Sequence, residues 1–152
     1  MSLTAEFLEQ IGSATEKAFP FVERCGVKVL KVAQGYCHLG MPLAGNQNHI
    51  GSMYAGALFT LAELPGGVIY LTSFDTSRFY PIVKSMNIRF RRPATGDIEV
   101  VATLDQAEAA RISAQADQDG KCDYSWTLEL KDGKGETVAI ADCIYQLRKI
   151  GQ

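Results

Sequence analysis

The sequence predicts an α+β domain: an antiparallel sheet of about six strands wrapped around one central helix. Three observations carry this. Residues 54–71 are apolar on nearly every side, the pattern of a helix buried all round. The second half of the chain holds four strand-like segments. In the clearest of them, Tyr124, Trp126, Leu128 and Leu130 alternate with Ser125, Thr127, Glu129 and Lys131, the period of two expected of a half-buried antiparallel strand. Asp132-Gly133-Lys134-Gly135 is a hairpin turn between the last two strands. Such a sheet must bury its apolar face, and segment 54–71 is the element able to cover it.

The elements follow in order. Residues 4–18 read as a helix capped by Thr4, with Phe7, Leu8, Ile11 and Ala14/Thr15 at helical spacing and Pro20 as its stop. Segments 27–32 and 36–41 flank an Ala-Gln-Gly turn and read as a hairpin. A loop rich in Gly, Asn and Pro fills 42–51. In the central helix Pro65 removes the N–H that would bond Leu61, which predicts a kink just after Glu63. Strands are expected at 82–92, 98–104, 123–131 and 137–148, with a short alanine-rich helix at 107–117. There are no repeats or linkers, so the 152 residues form a single domain, 1–152, with its core at about 20–148.

Composition excludes several classes. Fifteen basic against seventeen acidic residues give a net charge of −2, without the cationic footprint of a nucleic-acid binder. No apolar run approaches the roughly 20 residues of a membrane helix. Residues 1–19 carry Glu6, Glu9 and Glu16 and no continuous apolar block, so no signal peptide is read and a cytoplasmic location is expected. Cys25, Cys37, Cys122 and Cys143 form no C-x-x-C pair. Free buried thiols are expected, with no metal and no cofactor. Cys37 and His38 are adjacent, but strand neighbours point to opposite faces and cannot pair.

One carboxylate stands out. Glu63 lies amid Leu58, Phe59, Leu61, Ala62, Leu64, Val68 and Ile69, where an ionised group is costly unless it is paired, protonated or exposed at an interface or cavity. It stands about two turns from Gly56 on the same helix face. The helix start offers unpaired N–H groups and a positive dipole end, and Gly56 would present its N–H unobstructed, as an oxyanion hole requires. Small residues at Ala55 and Gly56 equally suit tight helix–sheet packing. Asn48 is a polar loop residue near that helix start, and Tyr54 is either a hydroxyl donor or part of the core. Lys84, Arg89, Arg91 and Arg92 form the densest basic cluster, which is either a solvated strand face or an anion contact.

The run Asn48-His49-Ile50-Gly51-Ser52-Met53-Tyr54-Ala55-Gly56, continuing to Glu63, resembles the signature of hotdog-fold thioesterases of the phenylacetate-pathway type. There an Asn precedes His-Gly-Gly, and an Asp or Glu stands nine residues after the His. Here Asn48 stands six before Tyr54, Gly56 matches the last Gly, and Glu63 stands nine after Tyr54. A second match is Met86-Asn87-Ile88-Arg89-Phe90-Arg91-Arg92-Pro93-Ala94 followed by Gly96-Asp97. Tyr54-Ala55 departs from His-Gly, and Val83 stands near a serine of some relatives. With the helix at 107–117, this is similar to a branch known only as a domain of unknown function.

The resemblance spans about 20–148 and implies an acyl-CoA thioesterase acting as a homodimer or dimer of dimers. It implies Glu63 as base or nucleophile, facing the partner's helix start across the interface, and the Gly56 N–H as oxyanion hole. Asn48 would orient water or thioester, and Tyr54 would stand in for the His. Ala55, Arg89, Arg91 and Arg92 would contact a coenzyme A substrate. Two other readings stay open. A hotdog hydratase or dehydratase would need a His–acid pair, for which His49 alone is near. A non-catalytic acyl-CoA or lipid-binding dimer is favoured by Tyr54 in place of His.

Overall fold

Alternation sets the sheet. Cys37, Leu39 and Met41, then Ile98, Val100 and Ala102, then Tyr124, Leu128 and Leu130, then Ala139, Ala141, Cys143, Tyr145 and Leu147 all turn inward and are buried. The computed structural model describes residues 3–152. Its elements are α1 (Ala5–Glu16), α2 (Pro20–Cys25), β1 (Lys28–Ala33), β2 (Tyr36–Met41), α3 (Ala55–Ser73), β3 (Phe79–Phe90), β4 (Ile98–Thr103), α4 (Gln106–Asp119), β5 (Lys121–Lys131) and β6 (Thr137–Lys149). The six strands form one antiparallel sheet in the order β1-β2-β4-β5-β6-β3. Leu58, Leu61, Ala62, Val68 and Ile69 of α3 join the inward sheet residues in one apolar core.

Helix α3 runs unbroken through Pro65 to Ser73. The residue after that proline explains how closely it lies on the sheet. A Cβ at Gly66 would stand 2.3 Å from Tyr145 Cε1, so the glycine lets the Tyr145 ring press against the helix. The Tyr145 hydroxyl donates to the Glu63 carbonyl at 3.2 Å. At 19 residues, α3 is long and apolar enough to cross a membrane by length and composition, which corrects the expectation that no segment approaches such a span; more than half of it is buried in this fold.

Several boundaries differ from those the sequence predicts. α1 ends at Glu16, and Pro20 opens the unforeseen α2 instead of stopping α1, as suits a residue with no N–H to lose at a first helical position. β3 begins at Phe79 and ends at Phe90, beyond which Arg91 and Arg92 both donate backbone N–H groups to Val138 O. β5 starts two residues early at Lys121, and α4 is capped by Asp105, whose carboxylate accepts from Glu108 N at 2.7 Å.

Cys37 and His38 do point apart. Cys37 is buried, and burial pushes its thiol up to about 12. His38 lies on the outer face, 2.6 Å from Glu99. All four cysteines are free. β1 packs against α1, where Gly12 meets Val29. β3 has β6 as its only strand neighbour among the described residues and leaves the other side of its 12 residues open.

Candidate active site

The start of α3 is tied to two distant segments. Met53 N donates to Ala94 O at 2.8 Å, joining the two segments that carry the sequence signature. Tyr54 N donates to Asn46 O at 2.8 Å. Tyr54 O then accepts from Ala57 N at 3.0 Å and Leu58 N at 3.2 Å. Between these bonds, the N–H groups of Ala55 and Gly56 have no acceptor among the described residues, and Tyr54 provides no side-chain cap. Two free donors therefore sit at the positive end of a 19-residue helix.

Tyr54 is not a core residue. It is 60% exposed, and its ring lies across Gly56, where a Cβ would come within 2.5 Å of Tyr54 Cε1. Asn48 spends its amide on its own loop. Its Oδ1 accepts from Ile50 N at 3.0 Å and Ser52 N at 3.2 Å, and its Nδ2 donates to Ser52 Oγ at 2.9 Å. Ala55 is exposed beside Gly56, and His49 is exposed on the loop.

Glu63 is half-buried. Burial alone pushes its carboxyl above the usual carboxylate range, with no ion pair or hydrogen bond to pull it back. Its charge also raises the neighbouring Cys143 and Tyr145, both already raised by burial, the thiol to about 11. On β3, Val83 and Met86 stand opposite Tyr145 and Cys143. The floor beneath Glu63 therefore continues over Val83, Met86, Ile88 and the exposed Phe90 to the open sheet edge. Seven residues separate Glu63 from Gly56, about 10 Å along a helix. Along one helix the Glu63 carboxylate and the Gly56 N–H therefore lie about two turns apart.

The basic cluster lies elsewhere. Arg89 stands opposite Ile140 on the sheet face away from α3 and pairs with Asp142 at 3.5 Å. Arg92 pairs with Glu136, and Lys84 with Asp123 at 2.6 Å. Arg91 is exposed and has no ion partner among the described residues. A residue that sequence reading passed over is Asn46. It is buried in the same loop as Asn48 and bonded to α2. Among several polar loop residues, nothing in the linear pattern singles it out.

Comparison with known proteins fits this architecture. A crystal structure of a Pseudomonas aeruginosa protein of unknown function, described as a "Probable Thioesterase", is 53% identical, covers 98% of both chains and superposes with a TM-score of 0.93. A thioesterase variant, also from Pseudomonas aeruginosa, shares the fold at 19% identity, with a TM-score of 0.74 over 98% of this chain and 99% of that one. A candidate esterase of Deinococcus radiodurans is 25% identical over 129 residues, 84% of this chain and 74% of that protein. The family described as a domain of unknown function (DUF4442) matches residues 9–146. With its six-stranded antiparallel sheet wrapped around α3, the chain belongs to that family, within the thioesterase-like hotdog superfamily.

Proposed function

We propose that the protein hydrolyses an acyl-CoA thioester to a free acid and coenzyme A, working as a homodimer. The observation that carries this reading is Glu63, a half-buried carboxylate without an ion or hydrogen-bond partner among the described residues, on the same helix as two unpartnered N–H groups. The N–H groups of Gly56 and Ala55 polarise the thioester carbonyl and receive the developing oxyanion. Glu63 of the partner chain takes a proton from water, whose oxygen bonds to the carbonyl carbon. Collapse of the tetrahedral intermediate breaks the C–S bond, and the leaving thiolate takes up a proton. Direct attack by the Glu63 carboxylate, followed by hydrolysis of the anhydride, gives the same products.

Pairing of two open β3 edges about a two-fold axis would carry each Glu63 toward the other chain's α3 start and make two equal sites. The unpaired Arg91 suits a coenzyme A phosphate better than Arg89 or Arg92, which are held by carboxylates. Asn48 contributes by shaping the loop, and Tyr54 by lining the approach to Gly56. A second reading, acyl-CoA binding without turnover, draws on the exposed Tyr54 where related enzymes use His. Thiol release from a panel of acyl-CoAs, with enoyl-CoA hydration run in parallel, tests the proposal. Thiol release is expected. Tight binding without turnover would favour the second reading, and hydration without thiol release a hydratase.

A further inference from the structure

Asn46 is one of the few buried polar residues, 9% exposed in a loop that is otherwise largely open. Its Nδ2 donates to Cys25 O and to Pro42 O, each at 2.8 Å. The first acceptor is the terminal carbonyl of α2, a group no intrahelical N–H can reach. The second lies just past the end of β2. The Asn46 backbone N donates to Leu43 O at 2.9 Å, and its carbonyl accepts Tyr54 N at 2.8 Å. One residue thus links α2, the end of β2 and the residue immediately before the free N–H groups of Ala55 and Gly56. The chemistry is demanding. A carboxamide nitrogen carries two N–H donors for two carbonyls, whereas an ionised Asp has none and a Ser hydroxyl only one.

We propose that Asn46 is the positioning residue of the catalytic helix start, holding the Ala55 and Gly56 N–H groups where a thioester oxygen meets them; this rests on the thioesterase reading. Displacing reacting groups by about 1 Å costs on the order of a hundredfold in rate. Asn46→Ala and Asn46→Asp, assayed well below their melting temperatures, should therefore lose about tenfold to a hundredfold in kcat/KM, through a lower kcat and a higher KM.

A readout beyond stability comes from two non-hydrolysable acyl-CoA analogues. A ketone analogue keeps the carbonyl oxygen, and a thioether analogue lacks it. The variants should bind the ketone analogue more weakly, by a factor similar to the rise in KM, and the thioether analogue as the parent does. If Asn46→Ala does not fold, Asn46→Ser, which keeps one donor bond, should show the same split to a smaller degree. Equal weakening of both analogues, or kcat at the parent value, would overturn the assignment. A parent without thioester hydrolysis removes the thioesterase reading and this inference together. An active parent with an inactive Glu63→Gln and fully active Asn46 variants removes only the role of Asn46.

Discussion

At Glu63, stability and activity pull against each other, and pH separates them. Its carboxyl is held above the ordinary range by burial alone, so the folded protein keeps that proton to higher pH than the unfolded chain. Stability is therefore fullest below the unfolded pKa and is lost as pH rises through the folded one. A general base must be ionised, so hydrolysis should rise through the same window. Glu63→Gln should remove both slopes, cut thioester hydrolysis by about two orders of magnitude or more, and melt no lower than the parent at neutral pH, since a buried charge without a partner destabilises. Parallel melting and rate profiles against pH check this. A variant with the parent rate and a much lower melting point would make Glu63 a structural carboxylate. Tyr54→Phe probes the neighbouring question. An exposed hydroxyl with no protein partner among the described residues should leave stability within about 0.5 kcal/mol, while kcat should drop if that hydroxyl meets substrate. Unchanged turnover would reduce Tyr54 to its ring.

At the scale of the element, α3 owes its place to one glycine of a pair. Gly66 faces Tyr145, and a Cβ there would meet the ring at 2.3 Å and the hydroxyl at 2.6 Å. Neither helix backbone nor buried ring can yield without moving α3 off β6. Gly66→Ala should cost about 1–3 kcal/mol, as overpacking usually does, and should disturb the Glu63 carbonyl bonded by Tyr145. Gly67 is exposed, and a methyl group added there would meet nothing within 4 Å. At that position the same substitution should stabilise by about 0.5–1 kcal/mol through helix propensity. Denaturant midpoints of the two variants should move in opposite directions; a shared direction would contradict this account of the packing.

For the whole molecule, the question is what the open edge of β3 does. Twelve residues of unpaired edge, beside the exposed Val83 and Phe90, form a template for another strand. Sedimentation at micromolar concentration should report twice the mass of one chain, and Val83→Lys should lower both that mass and the activity. A shared site makes a stronger demand. Glu63→Gln and a Gly56→Val variant, each inactive alone, should regain activity when refolded together, because one of the two sites in a mixed dimer would hold both an intact Gly56 and an intact Glu63. No recovery from demonstrably mixed dimers would place the chemistry within one chain.

Much of this is legible in the linear sequence because burial leaves a local record. The period of two in Tyr124–Lys131, the all-apolar run holding Glu63 and the Asp132–Gly135 turn each fix an element from its own residues, and Glu63 is conspicuous because an unpaired charge is rare in such a run. Other features depend on segments far apart in the chain. Asn46 and Asn48 look alike in sequence, yet only folding brings Cys25 and Pro42 to Asn46 while Asn48 closes on Ser52. Tyr54 reads as apolar, but the bond from its N–H to Asn46 leaves its ring outside over Gly56. Arg89 is visible in the sequence as a cation. That it lies on the far face from Glu63 and meets Asp142 is decided by the register of β3 with β6. Side-chain periodicity determines which face of an element is buried; which partner meets it is determined by topology, because those hydrogen bonds and ion pairs join residues that no local pattern connects.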